Sequence, residues 1–385
     1  MKILNIFRKI KIFFDDPSKR LLKIEIDSKA LEYNISRFKT IFPYHHFAVV
    51  LKSNAYGHGL KEMGKFLGRR KDIDCLVVDS LVEARTLRDV GIKKAVMILG
   101  YVPKSSLRSL KKIGNLIFVI NSKEQAVAVS LIVNFKLTVH IKVDTGMNRQ
   151  GISISELPEV LRILSSNRHI QVQGMLSHLA DADGPSGFDT QQQIKQWKHA
   201  LDLYKRMVGH GRGIFHFAAT AGTRYTSSAE NNLIRVGLGM YGFDSTQDKR
   251  LGVKPILSFL AKIVNIKEIK TGEKIGYNFT YTAQKDMKIA VVPCGYYEGI
   301  PRDLSNQGCF YYKNIPLPIL GRISMNLTVV DISEVKEPIH IEDEIEIYSS
   351  DPNKLNSVEN VAKICNTIPY EILVRLAPTI KRVIK

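Results

Sequence analysis

The sequence predicts an α/β fold: a closed (β/α)8 TIM barrel followed by a mostly β C-terminal domain. Three observations carry this. Eight short apolar runs fall near 46–52, 73–78, 95–99, 116–120, 138–143, 171–177, 213–217 and 233–238, and runs of that length bounded by turn signals read as buried strands. Helical patterns lie between most of them, for example over 80–90, 122–133, 154–166 and 188–209, and strands that alternate with helices pair in parallel. Near residue 250 the pattern changes to short strand-like segments at 256–269, 289–294, 309–312, 317–320, 326–332 and 341–348, with helical pattern scarce until about 355–365. An open doubly wound sheet is the competing architecture, but no Gly-rich dinucleotide loop follows the first run. A closed barrel of this kind takes about 250 residues, which the first part of the chain supplies.

Ahead of the barrel, Leu22-Lys23-Ile24-Glu25-Ile26-Asp27 alternates like a half-buried strand. Asp27 or Ser28 caps the helix that carries Leu31, Ile35, Phe38 and Ile41. Ser80 with Glu83 forms a capping box at the start of the 80–90 helix. The expected division is a basic extension over 1–20, a barrel over 21–250 whose leading strand can join the β domain, and a β domain over 251–385.

The chain has 385 residues, 44% hydrophobic and 24% charged, enough apolar material for two domains. No stretch reaches the roughly 18 uninterrupted apolar residues of a membrane span. Cys75, Cys294, Cys309 and Cys365 are scattered, without zinc-site spacing or disulfide density, so reduced thiols in a cytoplasmic protein are expected and no metal is implied. The net charge of +19 is partly concentrated in residues 1–24, which hold Lys2, Arg8, Lys9, Lys11, Lys19, Arg20 and Lys23. Nucleic-acid binding wants a basic stripe with interleaved aromatics, and the sequence has none. Ile3, Phe7, Ile10 and Phe14 share a helical face, a weak membrane-surface signature. The favoured reading is a tail that packs on the body or has no fixed structure, with the membrane-surface helix as the lesser alternative. It is a poor secretory signal, because basic residues interrupt the apolar stretch.

In a parallel barrel, chemistry gathers at the C-terminal strand ends. Lys52 closes the first run and is followed by Ser53-Asn54-Ala55-Tyr56-Gly57-His58-Gly59. Burying a lysine disfavours its ammonium form, and a neutral amine suits Schiff-base chemistry. The bland alternative is a strand-end lysine that reaches solvent through its stem. Lys142 and Asp144 close the fifth run, ahead of Thr145-Gly146-Met147-Asn148-Arg149; His178 closes the sixth; Thr220 follows the seventh; Arg235 lies at the eighth. Singly, His178 reads as a satisfied core histidine and Arg235 as half of an ion pair. Polar or charged groups at five strand ends together point to a pocket.

These segments resemble the alanine racemases, a fold-type III, pyridoxal-phosphate-dependent family. The resemblance runs from about residue 22 to 375. It is carried by Ala48-Val49-Val50-Leu51-Lys52-Ser53-Asn54-Ala55-Tyr56-Gly57-His58-Gly59, by Lys142-Val143-Asp144-Thr145-Gly146-Met147-Asn148-Arg149, by Gly276-Tyr277-Asn278-Phe279-Thr280-Tyr281, and by Gly321-Arg322-Ile323-Ser324-Met325-Asn326.

The resemblance implies the cofactor pyridoxal 5'-phosphate, an amino-acid substrate, a homodimer with shared active sites and racemisation of alanine for peptidoglycan. Lys52 would hold the cofactor and act as one base; Tyr277, from the partner subunit, would be the other. Two bases on opposite faces suit racemisation, which removes a proton from one face and returns one to the other. Arg235 would face the pyridine nitrogen, and His178 would pack on the ring. Tyr56, Thr220, Tyr370 and the backbone of Gly237 and Leu238 would hold the phosphate. Arg149 would bind the substrate carboxylate or orient Tyr277, with the Met325 backbone amide assisting. Lys142 matches a position that many relatives carbamylate.

The chain departs from the family at Ala219, where Asn is frequent, and at Asn326, where Asp is frequent. Losing a carboxylate beside the expected substrate contact points to relaxed or shifted side-chain selectivity. The competing functions are a racemase of broader range, a fold-type III decarboxylase, a non-catalytic cofactor-binding protein and a basic surface binder. The Tyr277 and Arg235 motifs argue against a decarboxylase, which wants a protonated ring nitrogen.

Overall fold

A computed structural model of the chain describes residues 20–184, 186–209, 213–226, 230–246 and 248–385. The proposed amphipathic face Ile3, Phe7, Ile10 and Phe14 lies outside the described residues. Two compact units emerge: Glu32–Tyr56 with Leu60–Lys254, and the described residues up to Leu31 with Gly57–Gly59 and Pro255–Lys385.

In chain order the strands are β1 (Leu22–Ile26), β2 (His46–Val50), β3 (Cys75–Val78), β4 (Ala95–Ile98), β5 (Leu116–Ile120), β6 (Leu137–Lys142), β7 (Ile170–Leu176), β8 (Ile214–His216) and β9 (Leu233–Val236). They continue as β10 (Leu257–Lys262), β11 (Asn265–Ile269), β12 (Lys274–Ile275), β13 (Tyr281–Thr282), β14 (Met287–Val292), β15 (Cys309–Tyr312), β16 (Ile315–Pro318), β17 (Thr328–Asp331), β18 (Glu344–Tyr348) and β19 (Lys381–Ile384).

Strands β2 to β9 form one parallel sheet in the order β8-β7-β6-β5-β4-β3-β2-β9, so each strand pairs with its neighbour in sequence and β9 returns to β2. Helices between them cover the outside, which is why these strands are apolar nearly throughout rather than alternating. Ser80 caps the Leu81–Asp89 helix with Glu83 in the expected capping box.

The ring closes between β8 and β9 partly through side chains. Backbone bonds run from Asn232 N to Phe215 O (2.9 Å) and from Arg235 N to Ala218 O (3.0 Å). Between them two side chains replace the ladder: Asn232 Oδ1 accepts from Phe215 N at 2.8 Å, and Asn231 Oδ1 accepts from Phe217 N at 2.8 Å and Ala218 N at 3.2 Å. The amides satisfy backbone donors that a buried strand edge would otherwise leave unpaired. A second irregularity lies between β6 and β7, where Val139 pairs with Val172 but His140 pairs with Gly174. Gln173 is the extra residue of this bulge, a feature that re-aims a side chain.

The other unit is mostly β. Its six-stranded sheet runs β16-β15-β18-β10-β1-β19, beside the three-stranded sheet β11-β14-β17 and the β12-β13 hairpin. Strand β1 pairs antiparallel with β10 and parallel with β19. The expected single strand over 256–269 is two strands, because the chain breaks at Ile263 and Val264 and changes sheet. Ile275, Ala283, Met287, Ile289 and Leu320 form a small core under the hairpin.

Candidate active site

The strand-end residues of the barrel converge. β2 ends at Val50, and Lys52 opens a short turn over Lys52–Tyr56 rather than closing the strand. Ser53, Asn54, Ala55 and Tyr56 all have φ between 52° and 56°. Four consecutive non-glycine residues in the left-handed region are costly, of the order of 1 kcal/mol or more each. Three bonds hold them there. Ser53 N donates to Glu83 Oε1 at 2.7 Å, Leu60 N donates to Asn54 Oδ1 at 2.8 Å, and Ala55 N donates to Leu51 O at 2.8 Å. Glu83 is therefore more than a helix cap: its other oxygen takes Asp79 N and Ser80 N. The capping-box spacing marked Glu83 in the sequence, but its reach to the Lys52 turn depends on the fold.

Arg235 is 3% exposed and is held as a pure donor. Its guanidinium donates to the carbonyls of Ser177 (2.8 Å), His216 (2.9 Å) and Phe217 (3.2 Å), and to His216 Nδ1 (2.5 Å). His178 Nδ1 lies 3.4 Å from the same group. His216 in turn meets His140 at 2.8 Å, and His140 meets Gln173 Oε1 at 3.2 Å. A polar chain thus runs into the barrel interior from Arg235. His140, His216 and Gln173 were absent from the expected site, although a histidine inside an apolar strand is itself a signal.

Electrostatics at the mouth are strongly cationic. Desolvation pushes His178 down to about 3, helped by Arg235, Arg149, Lys142 and Lys52. Desolvation likewise lowers Lys142 to about 8, with Arg149 and Arg235 adding to it and Asp144 opposing it. Asp144 is occupied in shaping the next loop, where Oδ1 accepts from Gly146 N (2.9 Å) and Asn148 N (3.2 Å). Arg149 is exposed at the end of that loop, and Lys142 Nζ donates to Gln150 Oε1 at 3.2 Å. Gln193, another residue the sequence did not single out, joins this loop to the His178 segment: its Nε2 reaches Thr145 Oγ1 (3.4 Å) and His178 O (3.2 Å).

Tyr56 and Thr220 both lie against the Gly237–Gly239 backbone. Thr220 Oγ1 accepts from Gly239 N at 3.2 Å. A Cβ at Gly237 would lie 2.6 Å from Tyr56 Oη, so only a glycine lets that hydroxyl approach the backbone. Grouped hydroxyls and backbone amides form a receptor for a phosphate dianion. Arg235, which can only donate, suits an unprotonated ring nitrogen. The residues present fit pyridoxal phosphate on both counts.

Two family models match the chain: the alanine racemase N-terminal domain over residues 26–245 and the alanine racemase C-terminal domain over 256–384. A curated alanine racemase from Borreliella burgdorferi is 32% identical, over 93% of this chain and 96% of the relative. The chain belongs to the alanine racemase family. It is an isomerase of that family. The solved alanine racemase of Clostridium difficile 630 superposes with a TM-score of 0.87 at 28% identity, covering 95% of this chain and 96% of that one. The alanine racemase of Bartonella henselae, solved with covalently bound pyridoxal phosphate, gives 0.82 at 25% identity, covering 95% and 100%.

Tyr277, Met325 and Tyr370 belong to the β unit. Tyr277 sits in a tight turn between β12 and β13 and is 68% exposed. It lines a cavity of about 310 Å³ with Tyr296, Arg302, Ile323 and Ser324. Met325 is also exposed, and Tyr370 is half-buried on the Pro369–Val374 helix. Among the described residues, no helix is long and apolar enough to cross a membrane.

Proposed function

We propose that this racemase interconverts L- and D-alanine by a two-base route, with pyridoxal 5'-phosphate as its cofactor and Lys52 and Tyr277 as the bases. The observation that carries the reading is Arg235: a buried guanidinium held by three carbonyls and a neutral histidine, beside a cationic mouth. Bound there, the cofactor withdraws electrons from the substrate and so acidifies its Cα–H.

This chain's residues do the rest. Lys52 Nζ would hold the cofactor and would move a proton at the substrate Cα on the face used by D-alanine. Tyr277 Oη moves a proton on the opposite face. Its exposure, with that of Phe279, Tyr297 and Met325, supports its acting from the partner subunit of a homodimer. Arg235 keeps its own protons, so it would leave a ring nitrogen beside it unprotonated, which would weaken the electron sink and limit side reactions. Tyr56, Thr220, Gly237 and Leu238 hold the phosphate, with Tyr370 added by the family resemblance, and His178 packs as a neutral ring.

Arg149 and the Met325 backbone amide hold the substrate carboxylate. Burial pushes the Lys142 amine down to about 8, which opens it to carbon dioxide, and the resulting carbamate would place an anion beside Arg149. The product D-alanine serves peptidoglycan synthesis in the cytoplasm.

A chiral assay on purified protein with added cofactor, across a panel of amino acids, tests the reading. Alanine should turn over fastest. Carbon dioxide release without racemisation would overturn it. Tyr277→Phe should keep the cofactor absorbance and lose proton exchange from one enantiomer; equal exchange from both would sink the two-base scheme.

A further inference from the structure

Asn326 stands where a carboxylate is frequent in the family that the chain resembles. Its side chain has a partner within the fold. Asn326 Nδ2 donates to Glu298 Oε1 at 2.9 Å. Glu298 is only 7% exposed, and its second oxygen accepts from Gly295 N at 2.8 Å. Each carboxylate oxygen thus has a donor, as a buried carboxylate requires.

This pair clamps two segments. The carbonyls of Ser324 and Met325 accept from Tyr296 N (3.1 Å) and Tyr297 N (3.0 Å), and Ser324 N donates to Leu327 O at 3.0 Å. The approach is close enough that a Cβ at Gly295 would lie 2.1 Å from Ser324 O and 2.5 Å from Met325 O. Glu298 sits at the end of this contact and ties Gly295 on one segment to Asn326 on the other. Met325 is the residue between Ser324 and Asn326, so its backbone amide is oriented by bonds on both sides.

We infer that Asn326, acting through Glu298, is a positioning residue that aims the Met325 backbone amide at the substrate carboxylate. The inference rests on the Met325 role proposed above. It replaces relaxed selectivity with a matched pair: a neutral amide donor facing a buried carboxylate. An aspartate at 326 would set two carboxylates against each other, and like charges at that distance cannot both ionise without cost. The turn would open or the pair would take up a proton.

The test is a charge exchange in the holoenzyme. Asn326→Asp should raise KM for alanine roughly tenfold and weaken competitive inhibition by propionate, which offers the carboxylate without the amine, by a similar factor, with kcat changed less than about twofold. Lowering the pH should reverse part of the KM increase as the pair binds a proton. Adding Glu298→Gln to Asn326→Asp restores one amide and one carboxylate, and KM should return to within about twofold of the unaltered protein. Asn326→Ala, which removes the donor without adding charge, serves if the aspartate variant does not fold, and should raise KM several-fold. An unmoved KM in either single variant, or no recovery in the double variant, overturns the inference alone. Failure of the unaltered protein to turn over alanine overturns the proposed function, and this inference with it.

Discussion

Arg235 donates to His216 Nδ1 at 2.5 Å, and that one contact sets the protons of a whole chain. An arginine cannot accept, so His216 Nδ1 is bare and its Nε2 carries the proton. His216 Nε2–H then donates to His140 Nδ1 at 2.8 Å, and His140 Nε2–H donates to Gln173 Oε1 at 3.2 Å. These tautomers follow from the hydrogen-bond network. The bulge in β7 matters here, since Gln173 is the residue that ends the chain with an acceptor.

Replacing His216 with Phe should break the chain at its first link. A buried guanidinium N–H left without its partner costs about 1–3 kcal/mol, which urea unfolding would read. His216→Asn offers an acceptor on a short side chain and should lose less. Equal losses would mean that Arg235 does not depend on this bond.

Acid should destabilise the protein. Desolvation holds His140 down to about 4 and His216 well below its ordinary value, with Arg235 adding to both. Folded values below the unfolded one mean that the unfolded chain binds more protons as pH falls. Stability is therefore fully present above about pH 6.5 and is lost as pH falls towards about 4. From His140 alone the loss is about 3 kcal/mol. Denaturation at about pH 7.5 and about pH 5 checks the sign, and His140→Gln should flatten the slope.

Glu83→Ala should loosen the Lys52 turn as well as fray a helix. Losing its half of the capping box frays the first turn of that helix. The distinguishing result is weaker retention of pyridoxal phosphate on dialysis. Ser80→Ala, which removes the cap hydroxyl but leaves the Glu83–Ser53 bond, should lower Tm without that effect.

Gly237→Ala should leave the barrel folded and weaken the phosphate site. A Cβ added at Gly237 strikes Tyr56 Oη, 2.6 Å away. The dissociation constant for the cofactor should rise about tenfold or more, measured by absorbance titration. Unchanged affinity would remove Tyr56 and Gly237 from the phosphate cradle.

Much of this was legible in the sequence because it is local. Eight apolar runs with helical spacers announce a parallel barrel, and every predicted run overlaps an observed strand. The capping box at Ser80 and Glu83, the Lys52 motif and the position of Arg235 at the last barrel strand needed no neighbours from elsewhere in the chain. The β12-β13 hairpin around Tyr277 leaves no mark in the sequence pattern, since two-residue strands carry no periodicity.

The sequence by itself thus determined the fold class, the family and which side chains stand at the strand ends. Tertiary structure alone decided the left-handed turn after Lys52, the second use of Glu83, the asparagine seam between β8 and β9, the directed chain below Arg235 and the partner of Asn326. The physical reason is common to all five. Each rests on hydrogen bonds that join separate segments of the chain, where burial makes an unpaired donor or acceptor expensive. Periodicity reports which face of an element is buried; it carries no record of which distant group will meet it there.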